Sequence, residues 1–112
     1  MSHQNTISEF EFVINKSFLG RGNLITIPSR FYQAIKENGL NVSTNVILKF
    51  MSDPALPASI NIGWRSGGKY YQIRINSHNN LNIHKLQLGQ ILQVRICKFD
   101  DNWHVELNKK NG

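Results

Sequence analysis

The sequence predicts a mainly β fold: a seven-stranded open pseudo-barrel with one or two short helices. Three observations carry that expectation. Short runs rich in β-branched and aromatic residues recur along the chain, several with the apolar–polar alternation of a half-buried strand. Clusters of Gly, Pro, Asn and Asp punctuate them, as turns between strands require. One segment alone, around residues 29–38, has apolar residues at helical spacing over a useful length.

Taken in order, the N-terminus to about Ser8 is polar and is expected to be loose. FEFVIN (10–15) reads as the first strand, and KSFLGRGN (16–23) as a polar loop marked by glycine. LITIP (24–28) is a second, β-branched strand closed by Pro28. Ser29 opens a helix, SRFYQAIKEN, because its hydroxyl can accept a bond from a free N–H of the first turn. Phe31, Ala34 and Ile35 give that helix an apolar face, and Asn38-Gly39 ends it, since both residues tolerate left-handed backbone. NVILKF (45–50) is the third strand, and MSDPALPA (51–58) a loop with two prolines. SINIGWR (59–65) and KYYQIRI (69–75) form a hairpin across Ser66-Gly67-Gly68. The polar segment SHNNLNIHKLQLGQ (77–90) has room for one helical turn. ILQVRICKF (91–99) and WHVEL (103–107) complete the set across an Asp100-Asp101-Asn102 turn. The chain of 112 residues is expected to be one domain, residues 1–112, with its core at about 9–108.

Composition excludes several classes. No apolar run approaches the roughly 18 residues of a membrane helix, and the start has no signal-peptide pattern, so a cytoplasmic protein with no membrane partner is expected. A single cysteine, Cys97, excludes an internal disulfide and reads as a small strand residue. His3, His78, His84 and His104 with Cys97 lack zinc spacing, so no metal is expected. Asp100, Asp101 and Lys98 imitate part of a Mg²⁺ nuclease site, but turn chemistry explains the two acids better. There is no phosphate-binding loop, dinucleotide fingerprint or nucleophile elbow. The expectation is no catalytic residue, no cofactor and no enzyme activity in this chain.

Charge is the positive signal. Thirteen Lys and Arg against seven Asp and Glu give a net charge of +6, and the acids are unevenly placed. None lies between Asp53 and Asp100, a stretch carrying Arg65, Lys69, Arg74, Lys85, Arg95 and Lys98. None lies between Glu11 and Glu37, which bracket Lys16, Arg21, Arg30 and Lys36. Each block contains a glycine-marked turn between strand-like runs, an arrangement suited to gripping a polyanion, DNA above all.

The first candidate site is Lys16, Ser17, Gly20, Arg21 and Asn23. The cations neutralise phosphates, Arg and Asn have the geometry to read guanine and adenine edges, and glycine lets backbone N–H groups approach. The second is Trp64, Arg65, Ser66, Lys69 and Tyr70 on the hairpin tip, a ribbon narrow enough to enter the major groove. Side chains alternate across a strand, so Trp64 and Arg65 cannot share a face, nor can Tyr70 and Tyr71; one aromatic of each pair should brace the barrel. The plainer alternative is two solvated turns with ordinary surface charge. Arg74, Arg95 and Lys98 alternate with apolar neighbours and read as outward, secondary positions.

The ordered set of motifs resembles the plant B-three DNA-binding domain. A strand and basic loop precede Leu24-Ile25-Thr26-Ile27-Pro28, which runs into the helix. NVILKF follows, then a strand ending in Gly63-Trp64-Arg65, a small polar turn, and Leu86-Gln87-Leu88-Gly89-Gln90 before the last strands. The resemblance covers about residues 9–108. It extends to the B-three-like effector domains of bacterial restriction endonucleases, which recognise DNA while a separate domain cuts it; the short, bare chain suits these better. The resemblance implies a monomer that grips the major groove of double-stranded DNA with an N-terminal arm, Lys16 to Asn23, and a C-terminal arm, Trp64 to Tyr70. It also implies a nuclease domain as partner in a full-length enzyme. Two departures stand out: Gln90 replaces the usual acid after Gly89, and the tip is Ser-Gly-Gly, which leaves the base sequence undetermined. Arg21-Gly22-Asn23 ahead of the I-T-I-P strand also resembles the AbrB-type swapped-hairpin regulators, obligate dimers of about half this length, for which the strands after Lys49 would be a second module. An interaction barrel that binds no nucleic acid is the remaining alternative.

Overall fold

A computed structural model describes residues 4–20, 24–50, 55–75 and 86–110. The strands are β1 (Gln4–Val13), β2 (Leu24–Thr26), β3 (Thr44–Phe50), β4 (Leu56–Arg65), β5 (Gly68–Ile75), β6 (Ile91–Phe99) and β7 (Asn102–Lys109). A short helix α1 (Lys16–Gly20) follows β1, and a 3₁₀ turn (Ser29–Phe31) leads into α2 (Tyr32–Glu37). All seven strands join one sheet in the order β1-β6-β7-β3-β4-β5-β2, curled into a nearly closed barrel. Every pairing is antiparallel except β3 with β7. This is the mainly β barrel the strand pattern predicts. The late strands are no second module: β1 pairs with β6, β2 with β5, and β3 with both β4 and β7.

Period-two alternation fills the barrel. Leu92, Val94 and Ile96 of β6, Val105 and Leu107 of β7, Leu48 of β3, Ile60 of β4 and Ile73 of β5 are fully buried. Each such side chain contributes on the order of 1.5–3 kcal/mol relative to exposure. Phe18 of α1 and Ile35 of α2 are fully buried as well and join the same core.

Four expectations need correction. The N-terminus is ordered from Gln4, because β1 pairs with β6 along its whole length, interrupted only by a bulge between Thr6 and Ser8. Residues 16–20 form a helical turn where a loop was expected. The Asn15 side chain caps it, accepting from the Phe18 N–H at 2.8 Å, while Phe18 drives into the core. Ser29 makes no cap bond; Pro28, extended at φ −58° and ψ 140°, precedes a 3₁₀ turn instead. The strand before the hairpin starts at Leu56, not Ser59. Pro57 is tolerated because the β5 register ends opposite Ala58, leaving Pro57 a ladder partner only on β3.

The end of α2 follows its residues closely. Gly39 takes φ +103°, its N–H donates to the Lys36 carbonyl, and the Leu40 N–H donates to Ile35. That double closure is a Schellman cap, sealed by the buried Leu40 and Ile35 side chains. Asn38 stays out of the left-handed region, at φ −89°. The helical turn expected within 77–90 falls largely on residues 76–85, outside the described residues, as do residues 51–54 of the expected loop at 51–58 and His3, His78 and His84. Among the described residues, no helix is long and apolar enough to cross a membrane.

Candidate nucleic-acid interface

The β4–β5 hairpin turns through two residues, Ser66 and Gly67, with Arg65 opposite Gly68. Gly68 adopts φ +117°, which closes the turn in backbone territory unfavourable to an L side chain. Register then sorts the tip into two faces. Ile62, Trp64, Lys69 and Tyr71 share one, with Ile62 opposite Tyr71 and Trp64 opposite Lys69. Gly63, Arg65 and Tyr70 share the other.

The first face continues the barrel interior outward. Tyr71 is buried, meets Tyr32 edge-on at 5.0 Å, and donates its hydroxyl to the Leu40 carbonyl at 3.4 Å. Burial pushes its phenol pKa up, opposed by the charge of Lys36. Tyr71 is thus the aromatic that braces the barrel. Beyond it, Lys69 holds its ammonium 5.6 Å from the Tyr71 ring, and Trp64 stands 76% exposed. An indole left in water at a hairpin tip is a large apolar contact surface with no partner among the described residues. On the second face, the Arg65 guanidinium lies 4.2 Å over the Tyr70 ring.

The other predicted segment reaches the sheet elsewhere. Lys16 and Ser17 are exposed on α1, while Phe18 and the half-buried Leu19 face inward. Arg21 and Asn23 lie outside the described residues, and of Gly20 only the backbone is described. The chain re-enters at Leu24, opposite Arg74. Five residue steps along β5 separate Arg74 from Lys69, about 17 Å at strand rise. The two segments therefore root at opposite ends of β5. Between them the outer face carries a polar row that the sequence reading did not single out: Thr26, Gln72 and Asn61, in register across β2, β5 and β4. Asn61 accepts a hydrogen bond from Ser59 at 3.0 Å. The alternation in KYYQIRI was the available signal, since the fully buried Ile73 forces Gln72 and Arg74 outward.

The remaining charge separates cleanly across the sheet. Arg95 on β6 donates to Glu9 of β1 at 3.1 Å and to Glu106 of β7 at 3.4 Å, and the hydrogen bond to Glu9 holds its pKa up. Lys110 pairs with Glu11. Lys98 donates to the Asn38 carbonyl at the end of α2, 2.6 Å away, and lies 5.7 Å from the Trp103 ring. These cations are committed within the protein. Asp100 and Asp101 form the two-residue β6–β7 turn, Asp100 at φ 56°. Strands β2, β4 and β5 carry Arg65, Lys69 and Arg74 and no acid at all. Among the described residues, one side of the barrel is therefore basic and its cations form no ion pair, while the acids of the strands and hairpin turns sit on the β1-β6-β7 side. No group of three or more His, Cys, Asp or Glu among the described residues converges as a metal site would.

No protein-family model matches the sequence, and no curated protein matches it at a significant level. Among solved structures, the chain is similar to one in an Arabidopsis FUS3–DNA complex, with a TM-score of 0.62 at 13% identity. The match covers 96% of this chain and 100% of that one. The similarity supports a B-three-like fold over nearly the whole chain.

Proposed function

We propose that this domain binds double-stranded DNA sequence-specifically, as a monomer, by presenting the β4–β5 hairpin and the segment at Lys16 to Asn23 to the major groove. The observation that carries the reading is the acid-free side of the barrel, where Trp64, Arg65, Lys69 and Arg74 stand without a carboxylate on their strands. The fold shared with a chain of a DNA complex supports it. In this reading Lys16, Lys69 and Arg74 pair with phosphates and fix the register. Arg65 and Arg21, with Ser17, Asn23 and Ser66, approach base edges. Gly20 admits the backbone close to the duplex, Trp64 packs near sugar and phosphate, and Tyr70 lies under the Arg65 guanidinium.

We further propose that the domain serves as the recognition part of a bacterial restriction endonuclease, cutting being the work of a separate nuclease domain. The absence of acids from β2, β4 and β5 favours holding a phosphate backbone over hydrolysing it, which needs carboxylates to hold Mg²⁺. Titration of the protein into labelled random duplex, followed by recovery of preferred sites from a randomised pool, tests the reading. Binding whose log K falls with log salt at a slope of about −4 to −5 is expected, about five phosphates being offset by the five cations Lys16, Arg21, Arg65, Lys69 and Arg74. Absence of binding at low salt, or a slope near zero, refutes it and favours an interaction barrel.

A further inference from the structure

We propose that Tyr70, laid against the bare backbone of Gly63, is a positioning residue that sets the Arg65 guanidinium for recognition of a base edge. The inference rests on the DNA-binding reading above and adds a mechanism to it. Three features of one hairpin face combine. Gly63 lies directly opposite Tyr70, and the phenol ring occupies the space a side chain there would need: a Cβ on Gly63 would collide with the Cζ, Oη and Cε1 atoms of the ring. Gly68 lies directly opposite Arg65 and offers it no side chain. The nearest same-face neighbour of Arg65 across the hairpin is therefore the diagonal one, Tyr70, and the guanidinium sits 4.2 Å over its ring.

A guanidinium resting on a ring is held through its flat face. No carboxylate or carbonyl among the described residues binds it, so its N–H donors remain available. A long arginine on a hairpin tip otherwise samples many rotamers. Here two glycines and one ring restrict it before any ligand arrives, which lowers the ordering cost of a bidentate contact. Lysine in the same place would keep the charge and lose the planar fork.

The test is a double-mutant cycle read by fluorescence anisotropy, using the tightest duplex recovered from a randomised pool and a random duplex as reference. Tyr70→Phe keeps the ring and should bind the selected duplex within about twofold of the wild type. Tyr70→Leu should weaken that binding roughly 5- to 30-fold, the worth of a guanidinium–ring contact that becomes desolvated, and random-duplex binding much less. In an Arg65→Ala background the same Tyr70→Leu change should cost less than about twofold. Tyr70→Val, which suits a strand, repeats the cycle if Tyr70→Leu fails to fold by circular dichroism. Equal loss with and without Arg65, or loss in Tyr70→Phe matching that in Tyr70→Leu, overturns the positioning role while leaving DNA binding intact. Failure of the wild-type protein to bind any duplex overturns both.

Discussion

Two cations on opposite sides of this barrel make a controlled comparison, Lys69 and Arg95. Lys69 lies on a strand without acids, its ammonium near the Tyr71 ring, whereas Arg95 is held between Glu9 and Glu106. If Lys69 neutralises a phosphate, Lys69→Ala should make the slope of log K against log salt shallower by about 0.9 and lower affinity about eightfold at 0.1 M salt. Arg95→Ala removes the same formal charge but leaves two carboxylates behind it, far from the proposed duplex. Its slope should stay within about 0.2 of wild type, since charges beyond a Debye length of about 10 Å are screened. Its cost should appear instead as a stability loss of less than about 1 kcal/mol, because the Arg95 side chain is 45% exposed and its ion pairs are solvated. Anisotropy titrations across a salt series measure the slopes, and thermal melts measure the stability. Equal slope changes in the two variants would show that only net charge matters and would refute the assignment of a binding side.

Other substitutions test the scaffold. Phe18→Ala should destabilise the protein by about 3–5 kcal/mol in urea unfolding, because the ring is fully buried and packs 5.6 Å from Phe12. Gly68→Ala should cost about 1–3 kcal/mol for its φ of +117°, while Gly67→Ala, with open space around its Cβ position, should be close to neutral. The Tyr71 phenol has its pKa raised by burial, so the folded state keeps this proton where the unfolded chain, at a pKa near 10, loses it. The associated stability is fully present below pH 10 and is lost as pH rises through the folded-state value. Tyr71→Phe should flatten that alkaline decline in pH-dependent melts.

Some of this was legible from residue order alone. In ILQVRICKF, alternation places Leu92, Val94 and Ile96 inside and Arg95 outside, as observed. The tight hairpin at Ser66 and Gly67 follows from glycine's access to positive φ, taken up by the next residue, Gly68. The extended reach of β1 was not legible, because polar residues such as Asn5 and Thr6 take strand geometry only when β6 supplies hydrogen-bond partners. The strand through Pro57 was missed because Pro reads as a breaker, and only the stagger of β5 against β4 shows that no ladder bond is lost there. At α1, the glycines of KSFLGRGN outweighed the quieter signal of Asn15 three residues ahead of Phe18. Alternation with apolar neighbours marks Arg95 and Lys98, like Arg74, only as outward positions. Their partners Glu9, Glu106 and Asn38 are remote in sequence, so their neutralisation needed the topology. The same holds for Gly63 beneath Tyr70, a contact set by hairpin register.

Amide chemical shifts of the ¹⁵N-labelled protein, followed as duplex is added at low salt, map the binding side residue by residue. Perturbations should concentrate on Trp64 to Tyr70, on Lys16 and Ser17, and on the strand between them from Gln72 to Arg74. The amides around Glu9, Arg95 and Glu106 should stay unmoved. Shifts centred on β1, β6 and β7, or none at all, would contradict binding on that side.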